Sequence, residues 1–390
     1  MSETVSEIRR ELTERILPFW RGLRDDERGG YTGQVEFDLT RRPEAERGCI
    51  LNSRILWFFS EAYLLLREPA LLDEAKHAYE MLCKMLDREH GGVYWSMNAD
   101  GTVADSTKHT YNQGFAIYAL SAYYRAGGEQ AALELARELF RLVEDKCFDG
   151  EGYLEAFTAG WQPAGNDKLS ENGVEAGRTM NTLLHVLEGY TGLYEAGKDP
   201  EVRERLFWIM NTWAEKVYNP RKCRQEVFFD LQYHTLIDLH SFGHDIETSW
   251  LADHTLEVLG DQVLTERLRP MLLSMADHTL RAAYTEGNGF SNESENGRVD
   301  FTRVWWVQAE ALVGFLNAYE HTHEQRYLDA VRSQWKYIRE KIIDPREGSE
   351  WFWSVREDGT PIEKPIVEPW KCPYHNGRMC IEVLRRNPEL

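Results

Sequence analysis

Apolar residues recur at helical spacing along most of the chain. Val5, Ile8, Leu12 and Ile16 form one face of a first helix, which Pro18 is expected to end. Comparable runs predict about twelve helices in all, separated by short breakers such as AGGEQ and EAGKDP that favour helical hairpins. The later helices are predicted near 49–66, 70–87, 111–126, 129–146, 179–196, 200–218, 244–259, 261–283, 304–321, 324–343 and 374–386.

The predicted helices are of two alternating kinds. One helix of each pair is rich in small, aromatic and embedded polar residues, as in YNQGFAIYALSAYY, and its partner is charged and amphipathic, as in EQAALELARELFRLVED. Six buried helices alternating with six half-exposed ones predict an all-α protein with two concentric rings. A closed barrel of six helical hairpins is favoured over an open superhelix of helix pairs, which gives much the same pattern.

Segments rich in glycine and aromatic residues follow several of the helix pairs. GGVYWSMNADG and EWFWSVREDG alternate like strands and are predicted to form short hairpins or extended loops. No linker or low-complexity segment divides the chain, which predicts one domain over residues 1–390.

The charge balance restricts the partners that this chain can bind. With 45 basic and 65 acidic side chains the net charge is −20, which repels nucleic acid and anionic lipid surfaces. No apolar run approaches the roughly 20 residues that span a bilayer. The charged start MSETVSEIRRELTERIL lacks a signal core, so a cytoplasmic protein is expected. Six cysteines without CxxC spacing indicate reduced thiols and neither a zinc cluster nor a disulfide framework.

Aromatic residues are abundant, with 13 Trp and 18 Tyr. An aromatic excess in an acidic protein is typical of a pocket that stacks on sugar rings, whose C–H faces are apolar. An aromatic-rich core would have the same composition, so both interpretations stay open at this level.

Polar residues cluster in the first turns of the predicted inner helices. A buried polar group without a partner costs roughly 1–3 kcal/mol, so these residues need a reason to be there. If the inner helices run parallel, the polar groups meet at one end of the ring and line a single cleft. They are Asn52, Arg54, Tyr111, Asn112, Asn181, His185, His244, Glu247, Gln308, Glu310, His375, Asn376 and Arg378.

Spacing alone leaves the chemistry of these groups open. His244 and Glu247 are three residues apart on one helix face, which fits an acid/base pair or an ordinary structural pair equally well. His185 taken alone is more typical of a hydrogen-bonded core histidine. For Arg54, an ion pair with a neighbouring glutamate and a role in the site fit equally well. No HExxH, GxSxG, P-loop or dinucleotide fingerprint is present, so neither a metal nor a cofactor is expected.

Longer motifs carry a family resemblance. SRILWFF (53–59), KHTYNQGFAIYALSAYYRA (108–126), TMNTLLHVLEGYTGLY (179–194), GHDIETSWL (243–251), RVWWVQAEALVGFLNAY (303–319) and PWKCPYHNGRMCIEV (369–383) together resemble the cellobiose 2-epimerase family, within the N-acylglucosamine 2-epimerase superfamily. The resemblance implies an (α/α)6 barrel and cofactor-independent epimerisation at C2 of the reducing-end glucose of cellobiose, with lactose as a second substrate. A disaccharide is thus the expected partner, and a monomer the expected state.

The resemblance also assigns roles to individual residues. It implies that His244 and His375 are the acid/base pair, His185 a third essential histidine, and Arg54 the group that contacts the enediolate. Glu247 is expected to support His244. The expected substrate-binding residues are Tyr111, Asn181, Trp306, Glu310 and Trp370.

Two departures and three rival functions accompany the resemblance. Phe242 stands where a tyrosine is expected and Thr248 where an alanine is common. The rivals are a sister 2-epimerase or aldose–ketose isomerase on the same scaffold, a glycoside hydrolase with two catalytic carboxylates, and a non-catalytic sugar-binding protein. The clustered histidines argue against the last two.

Overall fold

Most of the chain is helical, and consecutive helices are joined in hairpins. The structure is a computed structural model that describes residues 2–166, 168 and 172–387. The helices are α1 (Glu3–Arg10), α2 (Leu17–Arg21), α3 (Cys49–Leu66), α4 (Pro69–Lys84), α5 (Thr110–Arg125), α6 (Gln130–Lys146), α7 (Met180–Gly197), α8 (Pro200–Thr212), α9 (Phe242–Leu259), α10 (Gln262–Ala283), α11 (Trp305–Thr322), α12 (Gln325–Tyr337) and α13 (His375–Arg386).

Two concentric layers of helices make the barrel. In the inner layer α3 packs on α5, α5 on α7, α7 on α9, α9 on α11 and α11 on α13. Helix α13 also contacts α3, which closes the ring, as an open superhelix would not. Outside it, α4 packs on α3, α6 on α5, α8 on α7, α10 on α9, α12 on α11 and α1 on α13. The predicted (α/α)6 barrel is confirmed.

The two layers differ in burial as their sequences predict. In the inner helix α3 every residue from Cys49 to Ala62 is buried, because neighbours cover it on all sides. The outer helix α6 buries one stripe only, with Leu133, Ala136 and Phe140 at helical spacing. Among the described residues α3 alone is long and apolar enough to span a membrane, and it is one of the six helices of the inner layer.

Short strands fix one end of the inner helices. Five of the six begin directly after a strand of two or three residues that pairs with another extended segment, which satisfies backbone groups just before the first turn. The strands are β1 (Arg47–Gly48), β2 (Ser96–Met97), β3 (Val103–Asp105), β4 (Lys108–His109), β5 (Ala156–Phe157), β6 (Arg178–Thr179), β7 (Tyr218–Asn219), β8 (Arg224–Gln225), β9 (Phe228–Phe229), β10 (Leu239–Ser241), β11 (Tyr284–Thr285), β12 (Gly289–Phe290), β13 (Glu293–Glu295), β14 (Arg298–Asp300), β15 (Arg303–Val304) and β16 (Ser354–Val355).

The prediction that Pro18 ends the first helix is wrong. A π-helical turn, Glu11–Ile16, connects α1 to α2, and Pro18 lies in the first turn of α2. A proline is tolerated there because its missing N–H falls where the regular hydrogen-bond pattern is already interrupted. Similar π-helical turns extend α8 at Trp213–Val217 and α12 at Ile338–Ile342.

Candidate active site

Three inner helices bring their first polar turns together on one side of the cleft. Arg54 of α3 donates a hydrogen bond from Nη2 to the Tyr111 hydroxyl of α5 at 2.9 Å. The Tyr111 ring lies edge-on to the His185 imidazole of α7, with centroids 5.0 Å apart. Asn181 lies one turn before His185 on the same helix, so the two share a face. The predicted convergence is present for these four residues.

The other three inner helices complete the cleft. The ring centroids of the His244 imidazole on α9 and the Trp306 indole on α11 are 4.8 Å apart. The ring centroid of the His375 imidazole, at the start of α13, is 5.4 Å from the centroid of the same indole. The two histidines predicted to form the acid/base pair therefore contact one shared aromatic side chain, although 131 residues separate them in the chain.

Aromatic side chains form the outer wall. Trp306 and Trp370 are half-buried, so part of each indole stays available to a ligand. The Trp370 ring lies 5.9 Å from Tyr111 and 5.8 Å from Trp95, and its carbonyl accepts a hydrogen bond from Arg54. Such half-exposed indoles are suited to stacking on the apolar face of a sugar.

A buried charge cluster lies beneath His375, and its centre is Arg378. Nδ1 of His375 is 2.7 Å from Oε1 of Glu310, which also accepts a hydrogen bond from Arg378 at 2.7 Å. Arg378 donates to Oε1 of Glu247 at 2.5 Å as well. Trp250 donates from Nε1 to the other oxygen of Glu310 at 2.9 Å. Glu310 is thus held by three donors, and it orients the His375 ring.

A second carboxylate joins His185 to the same cluster. Nδ1 of His185 donates to Oε2 of Glu188 at 2.9 Å. The Oε1 atom of Glu188 accepts hydrogen bonds from the Tyr374 hydroxyl and from Arg378. A continuous chain of hydrogen bonds therefore runs from His185 through Glu188, Arg378 and Glu310 to His375.

Burial and neighbouring charge keep the three histidines neutral. Burial and, to a smaller extent, the nearby His185 lower the pKa of His244 to about 3, although Glu310 opposes this effect. Burial, followed by the guanidinium charges of Arg378 and Arg54, holds the pKa of His375 well below its ordinary value. Burial also lowers the pKa of His185, although Glu188 opposes this effect. Neutral imidazoles at neutral pH are ready to accept a proton.

The predicted support of His244 by Glu247 is wrong. Nδ1 of His244 is 2.7 Å from the Ser241 hydroxyl, the residue that precedes α9. Glu247 is instead paired with Arg378, whose buried positive charge needs carboxylate partners. Burial and the neighbouring Glu310 carboxylate raise the pKa of Glu247. Glu247 therefore supports the His375 side of the site.

Trp250 is buried and belongs to the charge cluster around Arg378. Its indole N–H fixes Glu310, and its ring lies 4.8 Å from the Arg378 guanidinium carbon. Sequence reasoning placed Arg378 in the polar cluster yet gave it no role. Its position three residues after His375 on one helix was the available signal.

Glu247, Glu310 and His375 are close enough to form a metal site. Their ligand atoms lie within 4.8 Å of one another. Arg378 already donates to both carboxylates, so a guanidinium supplies the positive charge at this point. The donor set is therefore that of an ion-pair cluster.

Known proteins resemble this chain over almost its whole length. Residues 19–377 match the family described as N-acylglucosamine 2-epimerase. The cellobiose 2-epimerase of Ruminococcus albus is 48% identical over 388 residues, 99% of this chain and 100% of that protein. The cellobiose 2-epimerase of Eubacterium cellulosolvens is 48% identical over 400 residues, 98% of each. A crystal structure of a sugar epimerase from a ruminal bacterium has a TM-score of 0.98 and 48% identity, covering 99% of this chain and 100% of that one. The chain thus belongs to the N-acylglucosamine 2-epimerase family, among its cellobiose 2-epimerases, and is a carbohydrate epimerase.

Proposed function

We propose that this protein reversibly epimerises C2 of the reducing-end glucose in β-1,4-linked disaccharides, without a cofactor. Cellobiose gives 4-O-β-D-glucosyl-D-mannose, and lactose gives epilactose. The observation that carries the proposal is the placement of His244 and His375 against the single indole of Trp306, on two different helices. Two neutral bases beside one aromatic wall suit the removal and return of a proton at one carbon atom.

The reaction needs a base that becomes an acid within one turnover. After the sugar ring opens, a histidine removes the C2 proton and leaves a planar enediolate; a proton returned to the opposite face gives the epimer. Imidazole suits both steps because a free ring nitrogen can accept a proton and, once protonated, can donate it again. His244 and His375 can each serve one face, or one of them can serve both faces after rotation about a carbon–carbon bond.

Arg54 is positioned to stabilise the enediolate. Its guanidinium is buried between the rings of Phe115 and Tyr374, with its carbon 4.3 and 4.7 Å from the two centroids. One of its nitrogen atoms donates to Tyr111, which keeps the charge at the cleft. A fixed cation in a site of low polarity stabilises developing negative charge by roughly 3–4 kcal/mol.

The second sugar has a place along the aromatic wall. Trp306 and Trp370 can stack on the unit that does not react and supply binding energy remote from C2. Asn181 adds a polar group from the first turn of α7. A disaccharide is therefore favoured over a free monosaccharide.

Product analysis in D2O tests this function. The protein is incubated with cellobiose, lactose, mannose and N-acetylmannosamine, and products are identified by chromatography and by proton NMR at C2. We expect the C2 epimers of the two disaccharides. A ketose or free glucose would assign a different reaction, and turnover of the monosaccharides alone would assign a sister epimerase. Unchanged cellobiose without deuterium at C2 would contradict the proposal.

We also propose that the protein acts as a monomer in the cytoplasm. The six inner helices of one chain form a closed ring around the cleft, which supports this proposal. The net charge of −20 disfavours binding to anionic membrane surfaces. Light scattering after gel filtration checks the oligomeric state, and an elution mass twice that of the chain would contradict it.

A further inference from the structure

A second cavity lies inside the barrel, toward the C-terminal ends of the inner helices. This rear cavity has a volume of about 80 Å³. Its lining comes from α3, α5, α7, α9 and α13, mostly from turns that follow those holding the site histidines. The lining residues used below are Trp57, Ala122, Arg125, Glu188, His254, Arg378 and Arg385.

The rear cavity leads from the catalytic cluster toward solvent. At its inner end are Glu188 and Arg378, whose side chains are 3% and 1% exposed. At its outer end are Arg125, His254 and Arg385, whose side chains are 25%, 40% and 34% exposed. Glu188 is therefore reached from two sides, by His185 from the cleft and by the cavity from behind.

A buried donor in the cavity wall requires a partner. Trp57 is 3% exposed, and its indole Nε1 has no hydrogen-bond partner among the described residues. A buried N–H without a partner costs roughly 1–3 kcal/mol, which a bound water recovers. Because a water needs about 10–15 Å³ of cavity volume, the cavity has room for several waters.

We propose that the rear cavity holds ordered waters that carry protons between the His185–Glu188 pair and solvent at the C-terminal end of the barrel. Once Nε2 of His185 has accepted a proton in the cleft, the N–H bond at Nδ1 breaks as an O–H bond forms on Oε2 of Glu188, 2.9 Å away, and the imidazole returns to its neutral form. Glu188 then passes this proton to a cavity water, and the reverse sequence returns a proton from solvent. No other reactant is consumed.

The path would give the enzyme a rear exit for protons. When a sugar fills the cleft, the aromatic wall and the substrate separate the histidines from solvent on the front side. A proton taken up in the site can then exchange only through the protein. This role in turnover rests on the proposed epimerase function, whereas the path itself does not.

The exchange of the His185 Nδ1 hydrogen tests the path directly. We propose Ala122→Leu, which adds three carbon atoms within the cavity, and Ala122→Ser as the control, which adds a single oxygen atom. Histidines are labelled with ¹⁵N, the His185 signal is assigned by its loss in His185→Gln, and exchange with water is measured by NMR. We expect exchange in Ala122→Leu to slow at least about tenfold and Ala122→Ser to match the wild type. Equal rates in folded Ala122→Leu would overturn the proposal.

A crystal structure and an isotope measurement test the path independently of the NMR exchange rates. If Ala122→Leu does not fold, a high-resolution crystal structure of the wild type decides, because a dry rear cavity would overturn the proposal and a water on Trp57 Nε1 supports it. With cellobiose in D2O, the product made by Ala122→Leu is expected to retain more protium at C2 than the product made by Ala122→Ser, or to form more slowly. Identical protium retention and identical rates in the two variants count against the path. If no sugar is epimerised, the proposed function fails, while the exchange measurement still decides the path.

Discussion

At the scale of single residues, the site depends on how buried charges are paired. Arg378 donates to three carboxylates, those of Glu188, Glu247 and Glu310. A buried guanidinium with these partners holds the acids in place, and the acids in turn orient His185 and His375. His244 lies apart from this network and relies on Ser241. The two histidines that flank Trp306 therefore differ in their surroundings, which suits different tasks in one reaction.

Replacing either histidine tests these tasks. In His244→Asn and in His375→Asn the polar contact survives in part but the imidazole base is lost, so we expect the rate of epimerisation to fall about 10³-fold. Circular dichroism and thermal melting are expected to match the wild type. The matched control is His234→Asn, because the His234 side chain is 77% exposed and pairs with Asp230 on the surface. Near-normal rates in either active-site variant would refute that residue's role.

At the scale of elements, helices α5 and α7 approach each other through glycine. A Cβ atom added to Gly189 would lie 2.5 Å from the carbonyl oxygen of Gly114, so a larger residue there forces the helices apart. Tyr111 lies at the start of α5 and His185 on α7, one turn before Gly189. The distance between Tyr111 and His185 therefore depends on two residues without side chains.

Gly189→Ala is expected to lower both stability and activity. The clash is with backbone, which cannot rotate away, so we expect a loss of about 1–3 kcal/mol in the free energy of unfolding, measured by urea denaturation. The value of kcat is expected to fall as well, because Tyr111 and His185 are displaced. Gly160→Ala is the control, since a Cβ atom there meets nothing within 4 Å. A Gly189→Ala protein with the stability of this control would contradict the packing argument.

At the scale of the whole molecule, the first helical segment packs against the last third of the chain, and this contact forms a seam between the two ends of the fold. Trp351 donates from Nε1 to Glu11 at 2.9 Å, and Trp20 donates to Glu350 at 3.1 Å. Burial raises the pKa of Glu11 to about 7, and the hydrogen bond from Trp351 offsets only part of the effect. The seam therefore favours the protonated form of Glu11.

This shift predicts how stability varies with pH. A carboxyl group whose pKa is higher in the folded than in the unfolded state stabilises the folded protein at low pH. For Glu11 this contribution is complete below the unfolded-state pKa of about 4.3, and it is lost as the pH rises through the folded-state pKa of about 7. Glu11→Gln keeps an acceptor for Trp351 and stays neutral. We expect it to equal the wild type near pH 4 and to be more stable above pH 7, by up to about 3 kcal/mol in urea denaturation. The surface variant Glu134→Gln is the control, and a Glu11→Gln difference independent of pH would contradict the argument.

The sequence by itself determined the two layers of helices, and its motifs predicted the roles of His244, His375, His185 and Arg54. Both depend on local information, the period of apolar residues and runs of characteristic residues, which the chain carries without folding. Only the tertiary structure decided that the ring closes, that Pro18 continues a helix, and that Glu247 turns to Arg378 and leaves His244 to Ser241. These outcomes depend on which buried charges meet across the barrel, and partners 131 residues apart leave no mark in local spacing.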